Sequence, residues 1–375
     1  MPYGYLITAV LALLCTVVAL TSPRRPFVLG LLSLFLGLVY NEAPVGVFVV
    51  LAASVLSSLG RPGIGSGVGW FATALFLLSW IGLFLLAARG MRTEKAVSRA
   101  LDEGFGAGPG EPRRAPSWWR VVAVPWVFGR RGVTRVANLS YGDAGTRNRL
   151  DVYHRRDRPS GGPVLIHFHG GFFTRGRKNI EARSLLYRLA AEGWVCVSAN
   201  YRLRPAVGFP EHLIDAKRAI AWIREHGAEY GADVSTLFPA GTSAGALIAT
   251  LAGLTPNDPA FQPGFEHADT SVSGVVCFAG YYGDPAGTSP YSPFAHIRAG
   301  APPFFIAHGT HDSLVPLADA GYFVDRLRAG SDNPVVFAAL PGGQHSFDRF
   351  NSPRFNAVVD GVREFASRVR APRGS

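Results

Sequence analysis

The chain has 375 residues, enough for one large domain or two smaller ones, and a formal net charge of +11. Charge of that size fits nucleic acid, an anionic membrane surface or only a soluble skin. No basic region with interleaved aromatics and no zinc-ligand spacing accompanies it, so neither a nucleic-acid partner nor a metal is expected. The three cysteines, Cys15, Cys196 and Cys277, lie in apolar runs and read as buried free thiols rather than a disulfide framework.

Residues 1–90 differ in kind from the rest. Apolar runs cover 4–20, 27–39, 45–59 and 68–88, separated by Pro23-Arg24-Arg25-Pro26, by Asn41, Glu42 and Pro44, and by Arg61-Pro62-Gly63. A membrane helix needs about 20 apolar residues, which the last run meets and the first nearly meets. The expectation is a multi-span anchor: four spans with a tight or tilted middle hairpin, or three if 27–59 is one long bent helix. The first run has no positive n-region and no cleavage site followed by polar sequence, which argues against a signal peptide.

Residues 91–132 read as a linker with a candidate interfacial flap. Gly104, Gly106, Gly108, Pro109 and Gly110 mark a flexible centre. Trp118, Trp119 and Trp126 beside Arg120, Arg130 and Arg131 suit a membrane interface or a flap on the next domain.

From 133 to 375 the pattern is α/β. Strand-like runs fall at 133–141, 150–153, 164–168, 194–199, 236–240, 274–278, 304–307 and 335–339. Helix-like runs fall at 180–191, 211–226, 244–254, 317–329 and 353–368. Short apolar strands alternating with amphipathic helices predict a mostly parallel sheet covered on both faces, with the first two strands as an antiparallel edge.

In such a sheet the chemistry gathers at the carboxyl ends of the strands. Gly241-Thr242-Ser243-Ala244-Gly245, between a strand and an apolar helix, has the form of a nucleophile elbow with Ser243 at its tip. His169-Gly170-Gly171-Phe172 follows another strand, and its glycines let backbone N–H groups face a developing oxyanion. Gly171 and Phe172 are the expected donors, with Ala244 as a third, and His169 is a loop brace. Asp312 follows the strand at 304–307, and His345 follows the last strand in a glycine-rich loop. Of the ten histidines His345 alone lies beyond Asp312, which matches the order Ser, acid, His. Asp284 is the rival acid, with a turn residue before proline as its plainer reading.

These segments, together with Leu150-Asp151-Val152-Tyr153, Asn200-Tyr201-Arg202-Leu203, Phe209-Pro210 and Asp215, resemble the α/β-hydrolase fold and, within it, the hormone-sensitive-lipase-like esterases over about residues 133–370. The resemblance implies a carboxylic ester hydrolase with a serine nucleophile and no cofactor. Two departures stand out. Phe172 occupies the place of a frequent third glycine, which narrows the expected acyl pocket. Pro205-Ala206 stands where the family often has Pro-Glu. Asp215 is expected to brace a loop.

The expected protein is a membrane-anchored serine esterase acting on a small-molecule or lipid ester. Short to medium acyl chains are expected, because 278–304 is too short for a large lid. An amidase or acyltransferase would use the same triad, and a noncatalytic membrane scaffold is the alternative of a different class. Arg89, Arg92, Lys95 and Arg99 after the last apolar run predict a cytoplasmic hydrolase domain. The sequence does not specify an oligomeric state.

Overall fold

The computed structural model describes residues 2–108, 126 and 128–371. Four apolar helices open the chain: α1 (Pro2–Thr21), α2 (Phe27–Glu42), α3 (Pro44–Ser58) and α4 (Gly67–Met91). α1 and α4 cross closely. A Cβ on Gly82 would lie 2.3 Å from Thr16 Cγ2, so the glycine is what lets the two backbones approach. Their shared core includes Ala9, Ala12, Phe76 and Leu83. Outward faces stay apolar, with Phe35, Val50, Trp70 and Phe84 all more than 65% exposed. α1 and α4 are each long and apolar enough to cross a membrane, by length and composition.

α2 and α3 are two helices, not a single long bent one, and they meet at 92°. Pro44 supplies the break. It cannot donate a helical hydrogen bond, and it drives Ala43 out of the helical region to φ −133°. One face of α2, carrying Gly30, Ser33, Asn41 and Glu42, lies against the hydrolase domain along the whole length of the helix. The opposite stripe, Val28, Leu32, Phe35 and Val39, is exposed.

The segment expected as a flexible linker instead begins with a further helix, α5 (Thr93–Phe105), which follows α4 with one residue between them. Val97, Ala100 and Leu101 give it one buried apolar face. Gly361 and Gly104 allow it to sit close: a Cβ on either would fall within 3 Å of Val97 or Val336. Trp118 and Trp119 of the candidate flap lie outside the described residues. Trp126 is exposed.

The α/β domain has eight strands: β1 (Val133–Ser140), β2 (Arg149–Arg155), β3 (Gly162–Phe168), β4 (Val195–Ala199), β5 (Ala232–Thr242), β6 (Val275–Phe278), β7 (Phe304–Gly309) and β8 (Val335–Leu340). Their order is β1-β2-β4-β3-β5-β6-β7-β8. β1–β2 and β2–β4 pair antiparallel, and the other pairs are parallel. The expected antiparallel edge is present. β3, β4 and β6 are buried at every residue, as a sheet covered on both faces requires.

One face is covered by α7 (Glu211–His226), α8 (Ala244–Leu254) and α9 (Leu317–Gly330). The other is covered by α5, α6 (Arg183–Ala191) and α10 (Pro353–Arg370). α6 begins three residues later than the sequence pattern predicts, because Ala182 is left-handed at φ 52°. Cys196 and Cys277 are buried and free, while Cys15 is only half-buried, on α1.

Candidate active site

Four strand ends converge. β5 ends at Thr242, and Ser243 follows at φ 55°, ψ −115°, outside the regions comfortable for a residue with a Cβ, before α8 starts at Ala244. The flanking glycines make this turn feasible. A Cβ on Gly241 would sit 2.1 Å from the Gly245 carbonyl oxygen, and one on Gly245 2.1 Å from the Phe168 carbonyl oxygen. Both contacts are backbone and cannot give way. The Ser243 N–H donates to Phe278 O at 3.0 Å, and its carbonyl accepts from Tyr281 N at 3.3 Å.

The loop after β3 passes beside the serine. A Cβ on Gly170 would lie 3.2 Å from Ser243 Cβ. Gly171 turns at φ 117°, and Phe172 and Phe173 both hold positive φ, 57° and 62°. Among the described residues the N–H groups of Gly171, Phe172 and Ala244 have no protein acceptor, whereas the neighbouring Gly170 N–H donates to Glu181 Oε2 at 2.6 Å. Three unspent donors beside a serine at a helix N-terminus suit a developing oxyanion.

His169 lies in this loop. Its Nδ1 lies 2.7 Å from Gly170 O, and its ring stacks on Tyr201 at 4.5 Å. The Tyr201 hydroxyl donates to His169 O. Asp215 holds the neighbouring loop by accepting from the Arg202 N–H and guanidinium at 2.8–3.0 Å.

The loops that carry Asp312 and His345 are in contact through their backbones. A Cβ on Gly309 would lie 2.2 Å from Gly343 O, and His311 N donates to that same oxygen. This brings His345 Nδ1 to 2.8 Å from Asp312 Oδ2, with both side chains buried. Asp312 Oδ1 accepts from the Leu314 and Val315 N–H groups, and His308 Nε2 lies 3.3 Å from Oδ2. Burial alone would raise the Asp312 pKa, but the His345 charge and the hydrogen bonds from His308 and His345 outweigh it and hold the carboxyl well below the usual range. For His345 burial favours the neutral ring, and the Asp312 carboxylate outweighs that and raises its pKa. Asp284 stands apart from this pair. It is half-buried and folded onto its own turn, accepting from Ala286 N and from Thr288 N and Oγ1. No hydrogen bond joins the Ser243 hydroxyl to His345 among the described residues; such contacts commonly tighten only once substrate is bound.

A cavity of about 660 Å³ opens at Ser243 and Ala244. Phe172, Phe209, Leu247 and Tyr291 line it, with Arg204 and Asp284 also contributing. Phe172 does stand on the wall, its ring 5.6 Å from the Arg175 guanidinium. Residues 279–303 supply other wall residues and contain only the short turn Pro293–His296 in place of a helical lid.

Several groups had no signal in the sequence. Glu181 holds the Gly170 N–H and pairs with Arg349 at 3.0 Å. Beneath the elbow, the Thr242 hydroxyl donates to Asp348 Oδ2 at 2.6 Å and lies 3.0 Å from His167 Nε2. Burial and the Glu181 charge push Asp348 up to about 7, and burial pushes His167 down to about 4. The most distant in sequence are in the apolar region, one in the turn before α2 and one on α2 itself. Arg24 Nε donates to the Asp312 carbonyl at 3.0 Å, and Ser33 meets Gln344. Among the described residues no His, Cys, Asp and Glu cluster could hold a metal ion.

Comparison with known proteins gives a consistent set. The BD-FAE family model matches residues 150–283. Over 410 aligned positions the chain is 37% identical to the probable carboxylic ester hydrolase LipM of Mycobacterium tuberculosis, covering 98% of this chain and 94% of LipM. Esterase LipQ of the same organism is 34% identical, over 79% of this chain and 80% of its own. Among solved structures, the apo form of Thermogutta terrifontis esterase 2 superposes with a TM-score of 0.54 at 25% identity, over 65% of this chain and 97% of that one.

Proposed function

Because the chain belongs to the α/β-hydrolase carboxylic ester hydrolases of which LipM and LipQ are members, we propose that it cleaves its ester through Ser243, His345 and Asp312. Ser243 attacks the carbonyl carbon. His345 accepts the serine proton at Nε2 and delivers it to the leaving alcohol, while Asp312 fixes the tautomer and favours the imidazolium. The N–H groups of Gly171, Phe172 and Ala244 receive the oxyanion. Water then attacks the acyl-enzyme, with His345 as base, and releases the acid. The observation that carries this reading is the 2.8 Å His345–Asp312 contact at the same sheet edge as the strained Ser243 turn.

The substrate is an ester with a short to medium acyl chain. A cavity of about 660 Å³ walled by Phe172, Phe209 and Tyr291 supports that range, as does the lack of a helical lid in 279–303. The helical region is a membrane anchor in which α1 and α4 are the full-length spans and the shorter α3, of 15 residues, carries the chain back between them. α2 lies at the interface, since its polar face touches the hydrolase domain from end to end. This arrangement puts Arg24, Arg25 and Arg89 on the hydrolase side, and the cytoplasm is then the favoured compartment.

A fluorophosphonate probe tests the nucleophile. Thermogutta terrifontis esterase 2 has been solved phosphoramylated by tabun, and here wild type should take the probe while Ser243→Ala should not. Ester hydrolysis in Ser243→Ala and His345→Ala should each fall by on the order of 10⁴-fold or more. Full labelling and turnover in Ser243→Ala would refute the assignment. A clear preference for long-chain triacylglycerol over butyrate or hexanoate esters would refute the substrate range.

A further inference from the structure

The acid and base loops of a hydrolase are ordinarily held by their own sheet. Here they also rest on an element more than 250 residues away in sequence. The fully buried Gln344 side chain is the junction. Its Oε1 accepts from Ser313 N at 2.7 Å and from His345 N at 2.9 Å, so one amide oxygen ties the residue after the acid to the base itself. Its Nε2 donates to Ser33 O at 3.2 Å and lies 3.3 Å from Ser33 Oγ, both on α2.

Two more bonds join the same parts: Ser313 Oγ to Gly30 O at 3.1 Å, and Arg24 Nε to Asp312 O at 3.0 Å. Gly37 completes the seat. A Cβ there would stand 3.2 Å from Gln344 Nε2, so glycine leaves just the space the amide occupies. We infer that α2, acting through Gln344, is a positioning element of the catalytic centre that sets Asp312 and His345 in register with Ser243. This rests on the triad reading above.

The inference has a physical basis in how steeply rate depends on placement. A displacement near 1 Å at a general base can cost about 100-fold in rate. Gln344 holds the main chain at both members of the pair, so losing its anchor on α2 frees them together. The groups that face His345 are the carboxylates of Asp312, Glu181 and Asp348, with His308 behind Asp312. From the α2 side, Arg24 bonds the Asp312 carbonyl. Of these Asp312 is the closest partner, and it favours the imidazolium. Loosening the pair therefore lets the His345 pKa fall.

The test uses the full chain in phosphatidylcholine–phosphatidylglycerol vesicles and a water-soluble butyrate ester. Gln344→Met removes the junction. Gly37→Leu displaces it from the α2 side without altering either loop. Gly4→Leu makes the same kind of change on α1, where nothing lies within 4 Å. Gln344→Met and Gly37→Leu should each lower kcat about 10- to 100-fold, with KM close to wild type and the acid limb of the rate profile moved to lower pH. Gly4→Leu should match wild type.

Folded Gln344→Met and Gly37→Leu proteins with wild-type kcat and pH profile would overturn the inference while Ser243→Ala stays inactive. An active Ser243→Ala would overturn the triad reading instead. Failure of both Gln344→Met and Gly37→Leu to fold would also overturn the inference, by making the contact a folding requirement and not a positioning one.

Discussion

Glu42 and Arg354 offer the sharpest test of how the helical region and the hydrolase domain are joined. The Arg354 guanidinium donates to Glu42 Oε1, and the Ser352 hydroxyl donates to Oε2. Arg354 also donates to Pro341 O at 3.1 Å. Both side chains are fully buried. Replacing Glu42 by alanine leaves a buried guanidinium without its counter-charge, a loss of about 3–5 kcal/mol. Unfolding entropy of about 2.1 cal/mol/K per residue over 375 residues gives roughly 0.8 kcal/mol/K. The expected fall in Tm is therefore about 4–6 °C. Glu42→Met with Arg354→Met removes both charges, and that pair should recover most of the loss or exceed wild type. Thermal unfolding of wild type, Glu42→Met, Arg354→Met and the double variant in one detergent, followed by tryptophan fluorescence, closes the cycle, with Glu42→Ala measured beside them. If Glu42→Ala unfolds within a degree of wild type, or the double variant loses the sum of the two single losses, the ion pair does not join the two regions in the way its burial implies.

Three other outcomes follow from the geometry. Because Asp312 raises the His345 pKa and the base must be neutral, the acid limb of kcat/KM should lie above the ordinary histidine value of about 6.5, with activity lost as pH falls through it; Asp312→Asn should move that limb down as well as lowering the rate, and a limb unmoved in that variant would argue against the pair. Gly245→Ala places a Cβ 2.1 Å from Phe168 O, so probe labelling should drop to near that of Ser243→Ala even where circular dichroism shows a folded protein; normal labelling would mean the turn is less constrained than it looks. A C-terminal reporter should fluoresce as a cytoplasm-only fusion and stay silent as an export-dependent phosphatase, and the reverse pattern would invert the orientation.

The hydrolase half was legible because its signals are local. The eight strand runs and the elbow depend on short stretches whose period, glycines and strand-to-helix context can be read without knowing the partner. The order of Ser243, Asp312 and His345 needed only chain direction and a fold. What escaped has a common character. Gln344 is one polar residue beside a histidine, and Glu181 one carboxylate in a loop; neither shows in sequence that it will hold a distant backbone N–H. The glycines at 104–110 suggested flexibility, yet Gly104 serves to bring α5 against Val336. α2 is apolar by composition, and only the partners of Gly30, Ser33 and Glu42 reveal that one of its faces is spent on protein.

The near-continuity of α4 and α5 has a consequence for where this enzyme can work. α4 runs 25 residues and α5 13, with a single residue between them, and α5 is fixed in the core of the sheet. A hydrolase on a slack tether sweeps a hemisphere and meets substrates at many heights. One mounted on a stiff post does not. With α4 as a membrane span, the cleft at Ser243 keeps a constant stand-off and tilt with respect to the bilayer plane, and its search becomes two-dimensional. Esters that partition to that depth are met by lateral diffusion alone, so their surface density, more than their bulk concentration, would set the rate.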